Sequence, residues 1–407
     1  MAVRALFIFF FLFSGARSFA EVRWNESPLW RSAQVLPQGQ HRWSARVGEQ
    51  TIKNRYDQQG ETVPLGGEYT QKWSWGDLVN AQTDKKGQDE IVQYMKRKNI
   101  SSSEEAASSG FGIERDETNF DFSWAYGMTS RWMFGFYVPF SRITTKVRSE
   151  VSVDARAAEG FKSISAQNQE DHKDIEQTVR EMVRNEVARQ GFREIPAERT
   201  QWIWGDVSLL NQFLLSASPD SRWSLQQVLR MPTSRNPSLS DFAMASRDEG
   251  QIDVGLSSFY ERNFGPTLGI LGLGYVNQWK GPVRVTEFDA QGSRLPGDKE
   301  VDRDLGDVWW AGIESRWSLS SSVRLSGAYR YFHKDADRWK SGVPALVTTG
   351  KQEAHLARMV VSYAFSGAEK HFDIEKKWLL NFQLQSDLAG VNSDRFTSGA
   401  LELQTYF

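Results

Sequence analysis

Residues 132–140 read WMFGFYVPF, and the alternation in that stretch decides the fold. Trp132, Phe134, Phe136, Val138 and Phe140 take every second position, with Met133, Gly135, Tyr137 and Pro139 between them. Successive side chains of a strand point to opposite faces, so this spacing builds a strand with one strongly apolar face. The pattern recurs downstream. Ile252, Val254, Leu256, Ser258 and Tyr260 oppose Asp253, Gly255, Ser257, Phe259 and Glu261. Trp309, Ala311, Ile313, Ser315 and Trp317 oppose Trp310, Gly312, Glu314 and Arg316. Val323, Leu325, Gly327, Tyr329 and Tyr331 oppose Arg324, Ser326, Ala328 and Arg330, while Trp378, Leu380, Phe382 and Leu384 oppose Leu379, Asn381, Gln383 and Gln385.

A soluble sandwich shows the same alternation, with one face in the core and the other in water. Two further features separate the alternatives. Tight connections at Gly127–Arg131, Ser218–Arg222, Asn263–Pro266 and Leu319–Ser322 alternate with long polar ones, the rhythm of short periplasmic turns and long external loops. Tryptophans also gather at strand ends, with Trp124 and Trp132 flanking one tight turn, Trp223 after another and Trp317 before a third. An indole is stable at a membrane interface because its ring is apolar and its N–H finds a partner among headgroups. Aromatic residues make up 13% of the 407 residues, yet mean hydropathy is −0.53. A transmembrane barrel reconciles the two, because only alternate side chains meet lipid.

The strands expected on this basis are 40–55, 112–126, 131–147, 201–216, 222–232, 251–263, 267–280, 304–318, 322–334, 352–366, 376–386 and 397–407. Twelve, within a range of 10 to 14, is an even number and places both ends of the sheet on the periplasmic side. Two stretches do not read as strand. The segment 57–111 is polar, with a short helix expected near Gln88–Lys98, and 148–200 contains a strongly helical run at 165–190. There Ile175, Val179, Met182 and Val187 form an apolar stripe at helical spacing. By strand parity both insertions are external. The helix could pack over the rim, fold into the lumen as a lid or plug, or bind a partner.

Met1–Ala20 carries one early Arg, the apolar run ALFIFFFLF and small residues Ser18 and Ala20 at a cleavage site, which reads as a secretory signal peptide with the mature chain from Glu21. Charge is near balance, 49 Lys+Arg against 51 Asp+Glu, and offers no basic surface for nucleic acid. The chain has no cysteine, so disulfides, thiolate metal sites and a cysteine nucleophile are excluded. None of the five histidines has a Ser and carboxylate at a recognisable catalytic spacing, and no Gly-rich phosphate loop opens a helix. No cofactor or metal is expected. Asp302-Arg303-Asp304 and Asp335-Ala336-Asp337 read as solvated loop charge rather than calcium ligands.

The final strand ends GALELQTYF, with Leu401, Leu403 and Phe407 on one face. In this it resembles outer-membrane barrels as a class, whose terminal Phe is read by the barrel-assembly machinery; Thr405 stands where that pattern often has Tyr. A narrower resemblance rests on Ala125-Tyr126-Gly127-Met128-Thr129 with Val138-Pro139-Phe140, then Gly205-Asp206-Val207, Met231-Pro232-Thr233 and Gly250-Gln251-Ile252-Asp253-Val254-Gly255. These segments resemble, in order, the putative outer-membrane transporters named for the meta-pathway of phenol degradation. Ser234 stands in place of that family's usual Gly. The resemblance implies passage of small, hydrophobic or aromatic molecules.

Parity puts Arg230, Glu261, Glu314, Arg316, Arg324, Arg330, Arg358 and Glu402 on the inward face, as ion pairs filling a narrow lumen or as a selectivity lining. Three function classes follow: a channel or transporter, a structural or surface-interaction barrel whose loops bind a partner, and, more remotely, a membrane-embedded hydrolase. The partners expected are outer-membrane lipid and lipopolysaccharide, the barrel-assembly machinery and a small-molecule substrate.

Overall fold

The computed structural model describes residues 32–67, 70–81, 85–160, 179–180, 197–234, 251–288, 294–339, 350–365 and 378–407. The alternating segments hydrogen-bond into a closed antiparallel barrel of 12 strands. In chain order they are β1 (His41–Tyr56), β2 (Glu105–Thr129), β3 (Trp132–Val153), β4 (Val207–Ala217), β5 (Ser221–Met231) and β6 (Asp253–Asn263). β7 (Thr267–Gln278), β8 (Val308–Ser318), β9 (Val323–Lys334), β10 (Gln352–Ala364), β11 (Trp378–Val391) and β12 (Asp394–Tyr406) complete the wall. β12 pairs with β1 from Arg42 opposite Tyr406 to Arg55 opposite Asp394, so no backbone edge is left in hydrocarbon.

The burial pattern is inside out relative to a soluble protein. Leu256, Leu271, Leu273, Ile313, Met359, Phe382 and Leu401 are exposed on the outer face. Ser224, Gln226, Gln212, Glu261, Glu314, Gln383 and Glu402 are buried on the inner one. Lipid in place of water makes that arrangement stable, since apolar side chains then lie in a matching solvent and polar groups pair within the lumen. No helix among the described residues is long and apolar enough to cross a membrane.

β2 and β3 continue well beyond the lipid belt. Along β3 the outward positions run Trp132, Phe134, Phe136, Val138 and Phe140, then change to Arg142, Thr144 and Lys146. Opposite them, β2 changes from Phe120 to Thr118 and Asp116, and Lys146 bonds Asp116 at 2.8 Å. Strand therefore occupies 105–111 and 148–153, which had been expected as loop. The wall segment expected at 201–216 is divided. Glu198–Trp204 pairs with the upper part of β3 and β4 pairs with its lower part. The division lies at Gly205–Asp206 beside Pro139, which has no N–H to offer a continuous ladder.

Outside the barrel, α1 (Trp75–Ala81) and α2 (Lys85–Lys98) lie in the first insertion. Ser74 caps α1 reciprocally: its hydroxyl accepts from the Asp77 N–H at 3.2 Å, and the Asp77 carboxylate accepts from the Ser74 N–H at 2.8 Å. Trp75 stacks on Tyr94 of α2, with ring centroids 5.8 Å apart. A separate sheet pairs Gly281–Phe288, Arg294–Asp304 and Arg338–Trp339. One expectation about this region is corrected. Asp337 is not solvated loop charge: it is buried, pairs with Arg303 and, at 3.2 Å, with Lys334, and accepts from the Gly306 N–H. Of the helical stripe, Val179 is helical and fully buried, while Ile175, Met182 and Val187 lie outside the described residues, as does the signal peptide.

Candidate functional site

Inward-facing residues place chemistry in three tiers, beginning at the end with the tight turns. There the chain before β1 forms a strap inside the lumen. Pro37–Gln40 closes a turn through the Gln40 N–H and Pro37 carbonyl at 3.1 Å, with Gly39 at φ 80° supplying the left-handed position. The strap crosses β2 at Gly127, whose N–H donates to the Gln40 carbonyl at 2.9 Å and whose carbonyl accepts from Gly39 at 2.8 Å. A Cβ at Gly127 would overlap the carbonyls of Leu36 and Pro37. Val35 and Leu36 are buried against Ala125, Met133, Tyr137, Leu210 and Val228. The Ser32 hydroxyl and Ala33 N–H donate to Glu261 at 2.7 and 2.9 Å, and Gln212 donates to the Ser32 carbonyl at 2.7 Å.

The middle tier is a charged network centred on Glu314 and Glu402. Glu314 receives Arg316 on one oxygen at 2.7 Å and Arg358 on the other at 2.5 Å. Glu402 accepts from Ser44 at 2.5 Å, Gln404 at 2.7 Å and Asn381 at 3.1 Å. Arg230 pairs with Asp253 at 3.5 Å away from this tier, at the opposite end of β5 and β6 from the tight turns and beyond Phe259. Arg324 occupies an inward position opposite Ser318 and Ser362 and is partly accessible. Arg46 bonds Asp121 at 2.9 Å, a pair that sequence parity did not single out because β1 alternates weakly.

Above the charges lies an apolar shelf formed by Ile52, Phe259, Trp310, Phe332, Leu356 and Phe396, all buried on the inward face. Trp310 stands 5.7 Å from Phe259 and 6.5 Å from Phe332, ring to ring, and Arg330 lies over its face at 5.3 Å. The shelf belongs to the same apolar cluster as Ala33 of the strap, Val179 of the second insertion, and Trp75, Leu78, Ile91 and Tyr94 of the first. The parity that placed Glu261, Glu314 and Arg330 inward places Phe259, Trp310 and Phe332 inward too. Charge finds only part of that lining, and apolar residues of the same parity complete it.

Three of the short motifs quoted from the sequence, those at Pro139, Gly205–Val207 and Thr233, meet at one corner of the wall. The Gly205 N–H donates to the Pro139 carbonyl at 2.9 Å, and the Thr233 hydroxyl donates to the Gly205 carbonyl at 3.0 Å. Val207 donates to the Thr233 hydroxyl at 2.9 Å, and Asp206 accepts from the Ser234 N–H at 2.8 Å. These segments hold the strand division in shape; they carry no reactive group. His355 and His333 face outward, His355 against Tyr329 at 2.6 Å and His333 between Glu353 and Asp335 at 3.3 Å each.

Closed strands, an apolar outer belt and a polar lumen define an outer-membrane β-barrel. Among solved structures the chain is similar to the COG4313 outer membrane channel from Pseudomonas putida F1, with a TM-score of 0.53 and 13% identity over 92% of this chain and 98% of that one. Weaker likenesses include the translocator domain of autotransporter NalP from Neisseria meningitidis, with a TM-score of 0.34 and 10% identity over 92% of this chain and 91% of that one. The Pseudomonas putida toluene transporter TodX aligns with a TM-score of 0.32 and 11% identity over 91% and 90% of the two chains. No family model and no curated protein matches the chain.

Proposed function

We propose that this chain is an outer-membrane channel for small apolar molecules, aromatic ones included, exported by its signal peptide and closed at its periplasmic end by the Ser32–Pro37 strap. The observation that carries the reading is the shelf of Phe259, Trp310, Phe332, Leu356 and Phe396 facing inward beside the buried charges Glu261 and Glu314. A lumen that only needed filling is filled by ion pairs alone; burying large aromatics there, and polar groups around them, provides a place for an apolar solute. The likeness to an outer membrane channel and the phenol meta-pathway motifs support the same reading. Lipid and lipopolysaccharide surround the outer belt, and the assembly machinery reads Phe407.

The helical insertion is the second control on passage. Val179 is buried in the cluster that contains both the shelf and residues of the first insertion, which supports the reading that the helical run restricts the lumen. Uptake of N-phenyl-1-naphthylamine by cells tests both parts. Cells carrying the barrel should brighten severalfold faster than cells without it. Removal of residues 165–190 should quicken uptake again while the barrel stays heat-modifiable on gels. Equal rates with and without the barrel would count against the channel. An unchanged rate in the deletion would leave the helix as a surface element and favour the partner-binding barrel.

A further inference from the structure

Resting on the channel reading for its purpose, we propose that Asp387 is a proton latch at the outer mouth. While it carries a proton the first insertion stays packed on the shelf, and its ionisation releases that packing. Asp387 is 5% exposed, and neither oxygen of its carboxylate has a hydrogen-bonding partner among the described residues. Leu356 lies opposite it on β10, and the pairing of Ser386 with Thr397 brings it beside Phe396 of β12. β11 carries one extra residue here, Leu388, since Leu356 pairs with Asp387 and His355 with Ala389. Such a bulge re-aims the side chain next to it. The amides of Ala389 and His355 face the carboxylate without completing a hydrogen bond.

The charges around it are engaged elsewhere. On β12, Asp394 is paired with Arg115 of β2 at 3.4 Å, and Arg395 donates to Thr62 at 3.2 Å. Arg115 also lies 4.0 Å from Glu117, which accepts from Gln50 at 2.7 Å. On β1, Arg55 stands opposite Asp394, and Tyr56 is close enough to feel the charge of Asp387. On β10, His355 bonds Tyr329 and Glu353 bonds His333.

Asp387 lies beyond the lipid belt. Outward residues at its height form a polar row, with Ser386 bonding Thr397 at 3.1 Å and Thr51 bonding Asp116 at 2.8 Å. Above it the β11–β12 hairpin is tied to the start of the first insertion. The Asn392 N–H donates to the Asp57 carbonyl at 3.0 Å, and the Tyr56 N–H donates to the Ser393 carbonyl at 2.8 Å. Leu65, Trp75 and Tyr94 of that insertion share one apolar cluster with Ile52, Leu356 and Phe396. The carboxylate therefore sits in the layer on which the insertion packs. Burying its charge there without donors is costly, and burying the neutral acid costs far less. Hydrating the charge means parting the hairpin from the insertion. The packed state thus holds the proton more tightly than the parted one. Its advantage is complete below about pH 4, the ordinary carboxyl range, and is lost as pH rises above it.

Hydrogen–deuterium exchange of the full-length protein in detergent reads the latch without any solute. Its failure is therefore separable from that of the channel reading, which the uptake comparison tests. After correction for the intrinsic pH dependence of exchange, amides of α1 and α2 should exchange severalfold faster at about pH 8 than at about pH 5. Amides in the lipid-facing stretches of the wall should not change. Asp387→Asn, a neutral stand-in for the protonated acid, should keep α1 and α2 as protected at the higher pH as wild type keeps them at the lower. Wild-type protection that does not vary with pH overturns the latch. A pH response that persists in a heat-modifiable Asp387→Asn barrel overturns it as well. Should Asp387→Asn not assemble, Asp387→Leu decides the question in the same way.

Discussion

Deleting Ser32–Pro37 is expected to turn a closed barrel into a conducting one, with single-channel current severalfold above wild type and an unchanged heat-modifiable band. The strap has no part in the ladder that closes the wall, because β1 begins at His41 and pairs with β2 and β12 along its own length. Its attachment is local: three buried apolar side chains, of which Ala33 is small, three hydrogen bonds involving Glu261 and Gln212, and the crossing at Gly127. Burying Val35 and Leu36 contributes at most about 1.5–3 kcal/mol each, a small share beside the closed sheet. Gly127→Ala should produce a milder form of the same effect, since the added methyl has backbone carbonyls to displace rather than a flexible side chain. Planar-bilayer recording reads both. Wild-type current from the deletion would mean that the strap does not close the lumen.

Deletion of Phe407 is expected to lower the amount of assembled barrel in cells severalfold, with the precursor lost to proteolysis. The same deletion should leave detergent refolding of the purified chain close to normal. The two outcomes differ because Phe407 contributes little to the folded wall. Its side chain is exposed on the outer face, and its backbone makes the last two bonds of closure, to His41 at 2.7 and 3.1 Å. Those bonds extend a β1–β12 seam that already runs from Arg42 to Arg55, and losing them frays one end without opening an edge across the membrane. A large defect confined to cells is the mark of a recognition signal. Equal losses in cells and in detergent would make Phe407 a structural residue, and no loss in cells would remove the signal altogether.

Much of the wall was legible in the sequence because lipid and lumen impose opposite chemistry on alternate residues. WMFGFYVPF, GALELQTYF and the tight turns each carry that requirement locally, so the strand count could be read without long-range information. The strap could not. Ser32–Pro37 has no periodicity, and its course inside the lumen depends on the absence of a Cβ at Gly127, far away in sequence. The division of the wall at Gly205–Asp206 depends likewise on Pro139, a residue of the neighbouring strand that withholds a donor. Asp337 read as solvated because its neighbours are charged, yet those charges, Arg303 and Lys334, fold inward around it. The apolar shelf was within reach: Phe259, Trp310 and Phe332 share parity with Glu261, Glu314 and Arg330. Large apolar residues on the polar face of a barrel strand are the signal that finds such a site.

The central claim is that an apolar solute occupies the lumen beside Trp310. Crystals of the protein soaked with 2-bromonaphthalene test it most directly, because the anomalous signal of bromine locates the ring without interpretation. The account predicts a bromine peak inside the barrel, among Phe259, Trp310 and Phe332. Bromine found only in the detergent belt outside the wall would contradict it.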